Sequence, residues 1–114
     1  MDGSLVVITT VDSEEAAARL SRGAVEAGLA ASGQVTGPVA TTYRHLGEVL
    51  DGTEWQVVFR TAADRVEALQ AHLLAAHPYD SPEVIALPIV SASPAYLAWI
   101  TRATRPSPPP GGGE

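Results

Sequence analysis

The chain has 114 residues, enough for one ordinary hydrophobic core and too few for two. An apolar fraction of 46% against 18% charged residues suits a globular protein, not a disordered one. The net charge is -6, and all seven basic residues are arginines scattered from Arg19 to Arg105, which disfavours a nucleic-acid partner and an anionic membrane surface; the absence of cysteine excludes disulfides, thiolate metal sites and cysteine nucleophiles.

Met1-Asp2-Gly3-Ser4 followed by Leu5-Val6-Val7-Ile8 has neither a basic n-region nor a long apolar h-region. No apolar run approaches the roughly 20 residues of a membrane helix. The default compartment is cytoplasmic. Leu5 to Val11 is a short, β-branched run that predicts a strand buried on both faces. Asp12 with Glu15 three residues on predicts a capping box, and Ala16, Leu20, Ala24 and Ala27 follow at helical spacing with Gly28 as the C′ stop.

Ala31 to Val49 is Thr/Val-rich and punctuated by Gly33, Gly37 and Pro38. It predicts an extended strand with a bulge near Gly37-Pro38. Asp51-Gly52 is the strongest hairpin signal in the chain, because the dipeptide tolerates the positive φ of a type I′ turn. Beyond it Trp55, Val57 and Phe59 alternate with Gln56, Val58 and Arg60 as a half-buried antiparallel strand. Asp64 and Glu67 repeat the capping arrangement before a helix whose buried stripe is Val66, Leu69, Leu73 and Ala76, stopped by Pro78.

Val84 to Val90 predicts a last strand, and Ser93-Pro94 the N-cap and N1 of a short helix holding Tyr96, Leu97, Trp99 and Ile100. Pro106 to Glu114 is Pro- and Gly-rich and predicts a disordered tail after a domain of residues 1–105. The order β-α-β-β-α-β plus a helix is an α+β, ferredoxin-like arrangement, an antiparallel sheet with both helices on one face. Tyr43, Trp55, Phe59 and the Val-rich strands exceed what two helices can cover, which predicts oligomerisation through the sheet or its hairpin.

Chemistry concentrates in His77-Pro78-Tyr79-Asp80-Ser81-Pro82-Glu83. Two prolines stiffen a loop that carries an imidazole, a phenol, two carboxylates and a hydroxyl. Spacing leaves it balanced between a stiff connector and a binding site. His72 reads as a solvated helix flank. His45 shares an alternating face with Tyr43 and Thr41, and is either an ordinary strand histidine or part of a cleft. No metal-ligand spacing, G-x-S-x-G, G-x-G-x-x-G or P-loop is present, so no catalytic residue is assigned. Glu48, Asp51 and Glu54 bracket the predicted turn as a solvated surface. Arg60-Thr61 closes a strand where an anion contact or a surface ion pair is equally available.

Leu29-Ala30-Ala31, Tyr43-Arg44 with Gly47-Glu48, Arg60-Thr61, the segment His77 to Glu83, and Tyr96-Leu97-Ala98-Trp99-Ile100 stand in an order and separation that resembles the CutA divalent-cation-tolerance family over residues 5 to 105. The resemblance implies a homotrimer of PII-like architecture that binds a divalent metal of the copper type (Cu or Zn), or a small ligand, in clefts between subunits. It implies that the cleft is lined by His77, Tyr79 and Glu83 with Tyr43, Arg60 and Trp99 nearby. With His45 added from the residues themselves, the candidate ligand cleft is Tyr43, His45, Arg60, Tyr79 and Trp99, and the candidate metal ligands are His77, Asp80 and Glu83. Three positions depart from the family's pattern. Ser32 replaces the usual Cys, removing a soft thiolate; His45 replaces Trp; Arg60 replaces Lys. The alternatives are a small-molecule sensor using Arg60, His45 and Tyr79, or an enzyme recruited to the same cleft with His45 or His77 as general acid/base and Glu83 or Asp80 as partner.

Overall fold

The computed structural model describes residues 3–105, so the predicted tail, 106–114, lies outside the described residues. The elements are β1 (Ser4–Val11), α1 (Glu14–Glu26), β2 (Ser32–His45), β3 (Glu48–Ala62), a 3-10 turn (Ala63–Arg65), α2 (Val66–Ala76), β4 (Val84–Pro88) and α3 (Pro94–Ala103). The four strands form one sheet in the order β2-β3-β1-β4, and every pairing is antiparallel. This is the predicted α+β arrangement, with β1 and β3 central and β2 and β4 at the edges.

The core lies between one sheet face and the helices. Val7, Val11, Val57 and Phe59 meet Ala17, Leu20 and Ala24 of α1 and Leu69 and Leu73 of α2 there. Burying each of the larger of these side chains contributes roughly 1.5–3 kcal/mol. Phe59, predicted as uncovered apolar surface, is wholly buried under the helices. Helices cover only one face, so β1 is buried on alternate residues and not on both faces. The opposite face carries Val6, Ile8, Val58, Ile85 and Leu87 as register neighbours, Ile85 and Leu87 exposed.

Local chemistry corrects several predicted boundaries. Ser13, not Asp12, caps α1: its hydroxyl accepts from the Ala16 amide at 3.1 Å, which puts Ala16 and not Glu15 at N3. Gly28 takes the C′ position at φ +72°, while Ala27 is the exposed C-cap. Asp64 and Glu67 form no capping box. The chain enters α2 through the 3-10 turn with Arg65 at the N-cap and no side-chain cap, and Asp64 is taken by a two-pronged pair with Arg105 at 2.7 and 2.8 Å. Ala76 is exposed, leaving Leu69 and Leu73 as the buried stripe of α2. The last strand ends at Pro88 and not Val90, since proline offers no amide to the ladder.

The largest correction is the hairpin. Asp51 and Gly52 lie inside β3, paired with Thr42 and Thr41, and the turn is Leu46-Gly47, with φ +50° and +81°. Both central residues are left-handed, as a type I′ turn demands, so Gly47 supplies the freedom and Leu46 bears the strain. Arg44 Nη1 donates to the Gly47 carbonyl at 3.2 Å, and Thr42 Oγ1 donates to Asp51 Oδ1 at 2.7 Å, which fixes the longer register. The predicted irregularity near Gly37-Pro38 is present as a register shift between Thr36 and Val39, with a cis bond between Gly37 and Pro38. Trp55 packs directly over Gly37, where any Cβ would collide with the indole. Ser93 and Pro94 cap and start α3 as predicted.

Candidate functional site

His77 is the C-cap of α2: its amide still bonds the Leu73 carbonyl at 2.9 Å, while its own backbone is extended. Pro78 prevents a further turn. The ring is 8% exposed, with Nε2 2.7 Å from the Thr10 carbonyl of β1, and Nδ1 accepts the Tyr79 amide at 3.1 Å. A carbonyl only accepts and an amide only donates. Both bonds are therefore satisfied by one neutral imidazole with its proton on Nε2. The ring also packs against that of Tyr79, centroids 4.8 Å apart and the planes tilted by 55°.

Two more bonds fasten the loop. Thr9 Oγ1 of β1 donates to the Glu83 carbonyl at 2.7 Å, and the Tyr79 hydroxyl donates to Glu54 Oε2 of β3 at 3.2 Å. Burial, then the Glu54 and Asp12 carboxylates nearby, push the Tyr79 phenol up to about 12. It stays a hydrogen-bond donor at all ordinary pH.

In front of this loop is a cleft of about 830 Å3. β1 and the residue after it contribute Thr10 and Asp12; the hairpin contributes Thr41, Tyr43 and His45 from β2 and Gly52, Thr53 and Glu54 from β3. The loop adds Tyr79, Asp80, Ser81 and Glu83. Thr10, Tyr43 and Glu54 share the helix-free sheet face by strand alternation. Four carboxylates, two phenols and one imidazole line the space, and no arginine does. Such a wall draws cations and repels anions.

Of the predicted residues, the cleft brings together Tyr43, His45, Tyr79, Asp80 and Glu83. His77 stands behind the loop and not in the cleft, with both nitrogens engaged. Arg60 is not a cleft residue: it sits six positions along β3 from Glu54, about 20 Å at the strand rise, and donates to Gln34 at 2.7 Å. Trp99 is on α3, partly exposed beside Tyr96, and also lies outside the cleft. Ser32 lines a separate groove between α1 and β2. The residues missed by sequence reasoning are Asp12 and Glu54. One was read as a helix cap and the other as part of a solvated turn, and moving the turn to Leu46-Gly47 is what carries Glu54 to the middle of the hairpin. Among the described residues, no three His, Asp or Glu side chains converge closely enough to hold a metal ion within one chain.

The family model described as CutA1 divalent ion tolerance protein matches residues 5–103. "Protein CutA, chloroplastic" of Arabidopsis thaliana is 37% identical over 102 residues, covering 90% of this chain and 56% of the relative. "Divalent-cation tolerance protein CutA" of Thermus thermophilus is 35% identical over 99 residues, covering 87% of this chain and 96% of the relative. The chain thus spans 56% and 59% of the Arabidopsis and rice relatives' length and nearly all of the bacterial one. CutA of Synechococcus elongatus superposes with a TM-score of 0.86 at 38% identity, covering 91% of both chains. The CutA1 structure from Thermus thermophilus gives 0.86 at 34% identity, covering 90% of this chain and 99% of that one.

Proposed function

The chain belongs to the CutA1 divalent ion tolerance family, and from that premise we propose that it binds divalent cations in the cleft before the Tyr79–Glu83 loop and so contributes to tolerance of them. The observation that carries this reading is the composition of the cleft: Asp12, Glu54, Asp80 and Glu83 with Tyr43, Tyr79 and His45, and no basic residue. Carboxylate and imidazole without thiolate is a donor set for Cu(II) or Zn(II) and not for a soft Cu(I) centre.

One chain does not supply a full coordination sphere, so a neighbouring copy or water completes it. A homotrimer is the assembly we infer. The exposed Ile85 and Leu87 on the helix-free face, with Val6, Ile8 and Val58 beside them, are the kind of apolar surface that a second copy covers. Calorimetric titration of Cu(II) and Zn(II) into the intact protein tests the reading, with sedimentation at the same concentrations for the assembly. Saturable binding is expected, weakened at least tenfold in Glu54→Gln and in Asp80→Asn. Binding that neither substitution changes, or none beyond the nonspecific level, would sink the proposal.

A further inference from the structure

The loop that presents Asp80 and Glu83 to the cleft begins at a buried imidazole that is not itself among the cleft's lining residues. We infer that His77 is a positioning residue: it sets the cleft's affinity for a divalent cation without touching the cation, a role that rests on the cation-binding reading above. Its two ring nitrogens are both committed inside the chain, Nε2–H to the Thr10 carbonyl at 2.7 Å and Nδ1 to the Tyr79 amide at 3.1 Å. Ligation through either nitrogen would break one of those bonds and leave a buried polar group without a partner. The ring is 8% exposed and has the Tyr79 ring against it, which leaves no approach for a hydrated ion from the cleft side.

The same two bonds explain what the residue is for. The Thr10 bond ties the end of α2 to β1, and the amide bond sets the direction in which the chain leaves Pro78. Tyr79 is thereby aimed at Glu54, and Thr9 holds the far end of the loop through the Glu83 carbonyl. Asp80 then stands between two fixed points in the chain, and lines the same cleft as Glu54 and Asp12. Outer partners of this kind orient the ligating groups, and losing one typically costs 10- to 100-fold in metal affinity.

The test uses the whole protein with Zn(II). Long-range nitrogen-proton NMR of the wild type should show His77 as the Nε2–H tautomer, unchanged at saturating Zn(II). Affinity should fall about tenfold or more in His77→Ala. It should recover most of that loss in His77→Gln, whose amide nitrogen can still donate to the Thr10 carbonyl. A Zn(II)-induced shift of a His77 ring nitrogen would overturn the assignment and make it a ligand. A folded His77→Gln as weak as His77→Ala would overturn it too. If the wild type binds no Zn(II), the cation-binding reading fails first and this inference falls with it; if it binds and His77 shifts, only this inference fails.

Discussion

Thr9 is wholly buried in β1, yet its hydroxyl reaches across to the Glu83 carbonyl at 2.7 Å, the bond that seats the far end of the loop. Thr9→Val keeps the shape of the side chain and removes the donor. Removing the donor alone leaves a partly buried carbonyl without its partner, which costs about 1–3 kcal/mol in place of the smaller net worth of the bond itself. The added methyl returns about 0.8 kcal/mol of burial. A net loss of about 1 kcal/mol is expected, which for a domain of this size lowers the melting temperature by about 4–8 °C. Urea denaturation at matched chain concentration measures it, with the slope unchanged because the same surface is exposed on unfolding. Amide exchange should rise first in the loop. A variant as stable as the parent, with an equally protected loop, would refute the idea that this bond holds the site together.

Leu46 is 89% exposed at φ +50°, so Leu46→Asn should relieve about 1 kcal/mol of left-handed strain and raise the urea midpoint at low chain concentration; a lowered midpoint would mean that another copy covers Leu46. Arg105, hydrogen-bonded to Asp64, holds that carboxyl below the usual range. Its folded value lies below its unfolded one, so the contribution is present above pH about 4 and lost as pH falls through the folded value. The stability difference between the wild type and Asp64→Asn should accordingly close in acid, and urea midpoints as a function of pH read it. For Tyr79 the sign is opposite: its stabilising contribution is complete below about pH 10 and fades as pH rises to about 12. The ultraviolet titration of the wild type minus that of Tyr79→Phe should show one tyrosinate step near pH 12.

The order of elements was legible because each is signalled by its own residues: Val7 and Val11 on alternate positions, Leu20 and Ala24 one turn apart, Ser93 before Pro94. The hairpin was not, because Asp51-Gly52 has the better turn chemistry and Leu46-Gly47 the better register. The pairing of Thr42 with Asp51 and the ring of Tyr43 lying over Gly52 decide that contest, and both are contacts between strands. The candidate site shared this fate. The loop from Tyr79 to Glu83 was recognisable from its prolines and polar side chains, whereas Glu54 and Asp12 join it only through the fold. His77 was noticed for its imidazole, which the fold sets behind the loop and outside the cleft lining. No sequence pattern says that Thr10 offers it a carbonyl.

The sheet order has a kinetic corollary. β2 and β3 are joined by a two-residue turn and can pair as soon as both have been made, but β1 must wait for β4, and Thr9 finds Glu83 across 74 positions of chain. Closing so long a loop is paid in entropy before any contact rewards it, so local pairing precedes distant pairing. The wall contributed by the hairpin would then exist before the opposite wall arrives. Assembly of the cleft becomes one of the last events of folding, and its loss one of the first signs of unfolding.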